Sequence, residues 1–444
     1  MVLPFLIPHT LHKVPPEITP DSENVGEPLI LTPYLKSNQN SKARKLSDVE
    51  PLLKGIVSNS GYFTVNETYN SNLFFWFFRK TSDDWKEAPL LLWLQGGPGC
   101  SSLIGLFEEN GPFRLVKNVL KRRKFSWTND YNVIYIDQPV GSGYSFTNSS
   151  KGRIHNQEQV ADHLYEALTQ FFLLYPELKD NPFYVSGESY AGKYVPAIAY
   201  KIHTLKKAGK SSINLKGLFL VSATTDGIGM MEYIGDVCYH IGIIDSRIRD
   251  QTKFMFEDLK SYVHSRLWTN ASFERVKILY NIYAHTRVSL HDCTKSIDDP
   301  IDDASIKYLQ SSKIRKKIHA GGVKYSVCSN EVYEDFSDDI LKSVKPWVEE
   351  LLEHYPVAFV GGQYDLIVAY LSNANVLKRL EWSGAFKFGK AVREKLIDQK
   401  KVVGYYKSVG NLKDVMIRRA GHAIPMDQPK IVLDVLKKFV SNKL

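Results

Sequence analysis

Short apolar runs that stop at glycine recur along the chain. Leu73-Phe74-Phe75-Trp76-Phe77-Phe78 is unbroken, and Leu90-Leu91-Leu92-Trp93-Leu94 runs into Gly96-Gly97-Pro98-Gly99. Runs of this length predict strands buried on both faces, as in a parallel sheet covered on each side. Further strands are expected at Val133–Ile136, Phe183–Val185, Leu218–Val221, Val357–Val360 and Val415–Ile417. Between them lie patterns of helical period. Val160, Leu164, Leu168, Phe171 and Phe172 form one face of a helix ending before Pro176. Ile431, Val432, Val435, Leu436, Phe439 and Val440 form another at the C-terminus. This alternation predicts an α/β fold, a mostly parallel sheet with helices on both faces. The early strands follow one another without a helix and admit antiparallel pairing.

The pattern divides the chain. Residues 1–54, rich in Pro, Ser, Asn and Lys, read as an extended leader or propeptide-like segment. Residues 55–232 and 313–444 carry the two parts of the sheet core. Residues 233–312 interrupt the alternation with polar, helical sequence, read as an insertion capping the sheet, with a separate second domain as the rival reading.

With 43% hydrophobic residues over 444 positions the chain can bury a large core, which excludes wholesale disorder. The net charge of +9 would suit an anionic partner, but its basic residues are scattered. The one dense cluster, Lys121-Arg122-Arg123-Lys124, reads as a solvated loop, with a processing site or anionic contact as the alternative. No nucleic-acid-binding motif surrounds it. No apolar stretch reaches the roughly 18 residues of a membrane span. Four cysteines, Cys100, Cys238, Cys293 and Cys328, allow two disulfides in any of three connectivities, or free buried thiols. No CxxC pair exists, so a zinc site is not expected. Sequons at Asn66, Asn148 and Asn270 tilt towards a secretory route. The N-terminal run Val2-Leu3-Pro4-Phe5-Leu6-Ile7 is too short, and too broken by Pro4, for a clear signal peptide, so the leader is expected to be truncated or to start elsewhere.

The strongest chemical signal is Phe183-Tyr184-Val185-Ser186-Gly187-Glu188-Ser189-Tyr190-Ala191-Gly192. A strand, a tight turn and a helix are the context of the nucleophile elbow G-x-S-x-G, here with Ala191 in place of the final glycine. A serine hydroxyl needs a histidine base oriented by a carboxylate. Asp365 and His422 follow the strands at Val357–Val360 and Val415–Ile417, in the chain order Ser, Asp, His.

The strings Gly96-Gly97-Pro98-Gly99-Cys100-Ser101-Ser102, Gly187-Glu188-Ser189-Tyr190-Ala191-Gly192, and Gly421-His422 with Pro425-Met426-Asp427-Gln428-Pro429 resemble the serine carboxypeptidases, nearest the vitellogenic-like and venom branch. Tyr69–Trp76 and Asp137-Gln138-Pro139-Val140-Gly141-Ser142-Gly143 also fit that branch. The likeness runs from about residue 55 to the end and is weakest in the insertion. It implies an α/β-hydrolase fold with no metal or organic cofactor. It also implies a secreted or lysosomal enzyme acting on peptide or protein C-termini, its oligomeric state open, a homodimer included. Ser189 would be the nucleophile, His422 the base and Asp365 its orienting partner. The Gly97 and Tyr190 amides would form the oxyanion hole. Trp93, Gln95, Glu109 and Glu188 would hold the substrate carboxylate, the two glutamates sharing a proton, which favours mildly acidic solution. The resemblance pairs Cys100 with Cys328 and leaves Cys238 with Cys293. Two departures stand out. Gln95 replaces the more usual Asn, and Val221-Ser222-Ala223-Thr224-Thr225-Asp226 lacks the glycines of the family's Gly-Asn-Gly or Gly-Asp-Gly, which puts the shape of the nearby pocket in doubt. An acyltransferase with the same triad, or a non-catalytic binding or protective subunit on the same scaffold, are the rival readings.

Overall fold

The computed structural model describes residues 25–296 and 303–444. Its strands in chain order are β1 (Asp48–Val49), β2 (Ser58–Asn66), β3 (Ser71–Phe78), β4 (Leu90–Leu94), β5 (Phe113–Val116), β6 (Val119–Arg122) and β7 (Asn132–Ile136). They continue as β8 (Phe183–Glu188), β9 (Leu215–Val221), β10 (Val288–Ser289), β11 (Asp292–Ser296), β12 (Val357–Gly362), β13 (Glu394–Asp398), β14 (Lys401–Val409) and β15 (Leu412–Ile417). Eleven of them form one sheet in the order β1-β2-β3-β7-β4-β8-β9-β12-β15-β14-β13. The block from β7 to β15 is parallel throughout. Antiparallel strands close it on both sides: β1 to β3 at one end, β14 and β13 at the other.

The unbroken apolar runs have a physical reason. Alternate side chains of each strand enter two different cores. Phe75, Phe77, Leu92, Val185, Leu220 and Phe359 face the layer built by helices Gln157–Leu174, Ala191–Lys207 and Lys345–Leu352. Phe74, Trp76, Trp93, Phe219, Val360 and Val415 face the layer closed by helix Pro429–Val440. Fully burying such a side chain contributes about 1.5–3 kcal/mol. With water excluded from both faces, polar side chains are driven to the strand ends. Helix Gln157–Leu174 starts where the Asn156 side chain accepts from the Gln159 amide at 2.9 Å, and buries Val160, Leu164, Leu168, Phe171 and Phe172.

Residues 25–54 are not an extended leader. Helices Thr32–Lys36 and Asn40–Leu46 lie against the first core layer, with Leu31, Leu35 and Ala43 buried. The Leu31 amide donates to the Tyr62 carbonyl and the Tyr62 amide to the Leu29 carbonyl, both at 2.9 Å. The apolar content of this stretch is low, but Leu31, Leu35 and Ala43 join the core on the side of helix Gln157–Leu174, and Val49 joins the core on the other side of the sheet. The N-terminal apolar run Val2–Ile7 lies outside the described residues.

The segment 233–312 forms helices Ile234–His240, Ser246–His264 and Trp268–Thr286, then the β10–β11 hairpin. Its Ile234, Val237, Leu259, Leu279, Ile282 and Leu290 join the same apolar cluster as the sheet. That shared core replaces a covalent staple. Cys238 and Cys293, expected to be bonded, are both free thiols. They are near enough that Cys293 adds to the burial that pushes the Cys238 thiol up to about 12. Cys293 is fixed in the hairpin, its amide donating to the Tyr364 carbonyl at 3.0 Å. Lys121 and Arg122 are exposed on the β5–β6 hairpin. Among the described residues no helix is long and apolar enough to cross a membrane.

The thiol count follows. Denatured, unreduced protein should expose two thiols to a thiol-specific reagent, and four after reduction, given one disulfide and two free cysteines. No thiol before reduction would mean that Cys238 and Cys293 are bonded.

Candidate active site

Because β4, β8, β12 and β15 are parallel, their C-terminal ends open on one edge, where ligands bind in open α/β sheets. At the end of β8 the chain turns sharply into helix Ala191–Lys207. Ser189 carries φ +63°, a left-handed conformation that costs a non-glycine residue about 1–2 kcal/mol. Its backbone is held on both sides. The Ser189 amide donates to the Val221 carbonyl at 3.1 Å, and its carbonyl accepts from Gly192 at 2.9 Å and Thr224 at 3.0 Å. A side chain at Gly187 would meet the Leu94 carbonyl at 2.7 Å, and one at Gly96 would meet the Tyr190 amide at 2.5 Å. Both glycines let neighbouring backbone pass against the turn.

Asp365 follows β12 and His422 follows β15. The His422 Nδ1 lies 2.7 Å from Asp365 Oδ2, and both side chains are buried. The other Asp365 oxygen accepts from the Val368 amide at 3.0 Å. Among the described residues, the buried His422 Nε2 has no hydrogen-bond partner. The His422 amide donates to the His291 carbonyl at 2.7 Å, and the two imidazoles meet edge to face with centroids 5.0 Å apart. The β10–β11 hairpin therefore braces both loops, since Leu290 also accepts from Leu366 and Ile367. Ser222, within the segment that departs from the family pattern, sits at φ +43° and donates its hydroxyl to the His422 carbonyl at 2.8 Å. The altered segment thus ties the histidine loop to the elbow.

The Gly96–Ser102 loop crosses beside Ser189. Gly97 has φ +108°, where a side chain would be strained. Among the described residues, neither the Gly97 nor the Tyr190 amide donates within the protein. A disulfide between Cys100 and Cys328 locks the loop. It is flanked by hydrogen bonds from Ser101 to Val327 and from Ser329 to Gly99, both 2.9 Å. With 228 residues between them, the bridge contributes roughly 5 kcal/mol in the loop-entropy account. The buried Asp137 carboxylate anchors the same loop, accepting from the Ser101 hydroxyl at 2.7 Å, the Ser102 amide at 2.9 Å and the Tyr144 amide at 2.9 Å. Burial lifts its carboxyl to about 6.

Behind the elbow lies a buried polar cluster. Trp93 Nε1 donates to Gln95 Oε1 at 3.0 Å. Gln95 Nε2 donates to Glu188 at 2.8 Å and to Glu109 at 3.4 Å. Among the described residues, the second oxygens of both glutamates are buried with no donor but a proton held between the two carboxyls. Burial raises both carboxyls, and the neighbouring Glu109 drives Glu188 up further. Two like charges cannot both ionise there, so the pair retains a proton above the usual carboxylate range.

A solvent-open cleft of about 990 Å³ runs past Ser189, Tyr190, Gly97 and the disulfide. None of Trp93, Gln95, Glu109 and Glu188 is among the residues that line it. Its other walls include Met230, Met231, Tyr333, Ile340, Arg275 and His291. Sequence reasoning missed this wall. His291 and Arg275 lie in the insertion, where the resemblance is weakest, and the methionines follow the altered segment. A histidine two residues from a cysteine in a polar stretch carried no signal of its own.

Asn148 and Asn270 are exposed and Asn66 is half-buried. Among the described residues, the one group of side chains spaced to hold a metal ion lies elsewhere, at His203, Glu350 and His354.

An α/β-hydrolase sheet with an elbow serine and an aspartate-bound histidine on the same edge is a hydrolase architecture, and the comparisons narrow the class. The family model described as serine carboxypeptidase matches residues 51–442, and the chain belongs to that family. It is a serine-type carboxypeptidase, a hydrolase acting on peptides. It is 39% identical to the venom serine carboxypeptidase of Apis mellifera over 95% of this chain and 92% of that protein. It is 38% identical to the vitellogenic carboxypeptidase of Aedes aegypti, over 93% and 90%. Its fold matches that of Kex1(delta)p, a prohormone-processing carboxypeptidase of Saccharomyces cerevisiae, with TM-score 0.76 and 22% identity over 90% of this chain and 96% of that one.

The tight crossing at Gly96 is directly testable. In Gly96→Ala the new methyl would meet only backbone and the Ser189 Cβ, none of which can swing away. Displacement of the elbow by a fraction of an ångström to 1 Å should lower kcat on a peptide roughly 100-fold. Circular dichroism should remain that of the folded protein. Near-normal kcat would mean that the crossing does not hold the serine.

Proposed function

We propose that Ser189, His422 and Asp365 perform acyl transfer on the last peptide bond of a substrate. The observation that carries this reading is the 2.7 Å contact between Asp365 and His422 at the edge where Ser189 is held in its left-handed turn. Asp365 fixes the imidazole so that Nε2 is the free base. Nε2 takes the Ser189 proton as Oγ attacks the carbonyl. The tetrahedral oxyanion accepts from the Gly97 and Tyr190 amides, which have no other acceptor to surrender. Collapse releases the C-terminal residue as His422 returns the proton to its nitrogen. Water then repeats the sequence on the acyl-enzyme.

Terminal specificity rests on the Trp93–Gln95–Glu109–Glu188 cluster. A carboxyl that keeps its proton donates to a carboxylate, where an ionised pair would repel it. Gln95 supplies the orienting amide. Met230, Met231 and Ile340 make part of the cleft apolar and favour an apolar substrate side chain there. Passage through a secretory or lysosomal route is supported by the disulfide, by the accessible sequons and by the venom and vitellogenic proteins to which the chain is similar. Glycans at Asn66, Asn148 and Asn270 belong to this reading.

Ser189→Ala should abolish both fluorophosphonate labelling and turnover. Removing such a nucleophile costs about 10⁶-fold in kcat in one serine protease. A variant that keeps near-normal turnover would overturn the assignment.

The pH profile tests the carboxylate cluster. The pair's pKa values are raised, so its shared proton is present below them and lost as pH rises through them. Catalytic efficiency on free-acid peptides should therefore be highest in mildly acidic solution and fall on the alkaline side. Peptides with an amidated C-terminus carry no like charge and should lose much less. Glu188→Gln should bring the two profiles together. Superimposable profiles in the wild type, unchanged by Glu188→Gln, would remove the cluster from substrate recognition.

A further inference from the structure

Far from the cleft, two helices bring three metal-ligand side chains together. His203 lies in the last part of helix Ala191–Lys207. Glu350 is on helix Lys345–Leu352, and His354 follows just beyond its end. His203 Nε2 is 3.5 Å from Glu350 Oε1, and His354 Nε2 is 3.4 Å from the same oxygen. The three ligand atoms lie within 4.8 Å of one another.

Burial gives this cluster its direction. The His203 side chain is 10% exposed, and its Nε2 is fully buried without a hydrogen-bond partner, although it is aimed at the carboxylate. Its Nδ1 lies 3.2 Å from the Tyr355 hydroxyl. If Nδ1 carries the proton and donates to that hydroxyl, the Nε2 lone pair is left to bind a cation. The imidazoles of His203 and His354 stack with centroids 4.5 Å apart and planes 24° from parallel. Two stacked imidazoles beside a carboxylate gain little from one another, but both gain from a shared cation.

We propose that His203, Glu350 and His354 form a binding site for a divalent transition cation of the zinc class. Two imidazoles and one carboxylate are a recurrent zinc donor set, with a fourth position left for water. Imidazole donors disfavour magnesium and calcium. Bonds of about 2.0–2.2 Å in a tetrahedron put ligand atoms about 3.3 Å apart. Both His–Glu separations are already near that value. The remaining adjustment is a turn of the His354 ring, which is exposed and free to make it. The C-terminal ends of two helices converge here, and their dipoles favour a cation. The exposed Lys207 opposes it and can swing into solvent.

His203 is fourteen residues along the helix from Ser189, roughly 20 Å at 1.5 Å per residue. The cation therefore takes no part in the acyl transfer. It ties the helix that follows the nucleophile to the helix that precedes β12, the strand leading to Asp365.

The full-length protein, stripped with a chelator, is titrated with zinc, cobalt and magnesium salts, alongside Glu350→Gln and His354→Ala. Zinc should bind the wild type at one equivalent and raise its Tm. Cobalt should give the visible absorption of a tetrahedral nitrogen–oxygen site, and magnesium should do neither. Each variant should lose zinc affinity by roughly tenfold or more, at least the loss seen when a second-shell partner is removed. Peptidase turnover should be unchanged in both variants, which also reports that they fold. Zinc binding of equal strength in the wild type and either variant, no binding to the wild type, or magnesium binding as tightly as zinc would each overturn the site.

Discussion

Everything at the reactive edge depends on backbone passing within van der Waals contact of backbone. Gly96 slides past the amide of Tyr190, Gly187 past the carbonyl of Leu94, and Gly192 past Thr224. Only because these positions carry no Cβ can three loops converge on one residue, Ser189, and hold it at a positive φ. The strain there is small beside the hydrogen bonds that oppose its relief. The half-buried serine reaches the cleft by geometry, not by any weakness in the packing around it.

The same economy of space explains the buried charges. Glu109, Glu188, Asp137 and Asp365 all lie within the protein's interior, Glu188 and Asp137 at strand ends, Asp365 in the loop after β12 and Glu109 at the end of the helical turn Gly105–Glu109. Each solves the desolvation problem differently. Asp137 is satisfied by backbone amides and a hydroxyl, and it organises a loop. Asp365 is paired with an imidazole and an amide. The two glutamates are left short of donors and keep a proton instead. One sheet edge thus carries carboxyls in distinct surroundings, set by which donors each can reach.

Much of this was legible in the sequence because strands buried on both faces are written as unbroken apolar runs. The sheet, its parallel centre and the loop positions of Ser189, Asp365 and His422 could be read from where those runs stop. The resemblance placed Gln95, Glu109 and Glu188 near one another, and the geometry brings them into contact. What was illegible depended on contacts between distant, weakly patterned segments. Residues 25–54 look polar, yet Leu31, Leu35 and Ala43 are enough to bind them to the core. Cys238 and Cys293 suggested a bridge, but the insertion is held by apolar packing and needs none. His203, Glu350 and His354 escaped notice because cysteine spacing, the usual guide to zinc, says nothing about histidines on separate helices.

The segment around Cys328 has a further consequence. Residues 326–329 zip to Gly143 on one side and to Gly99 and Ser101 on the other, with the disulfide between them. The loop that carries Gly97 is therefore finished by chain that lies beyond the whole insertion. During synthesis the first half of the sheet and the serine turn emerge long before the residues that brace them. The Gly96–Ser102 loop can therefore take its locked form only when the ribosome has made most of the protein.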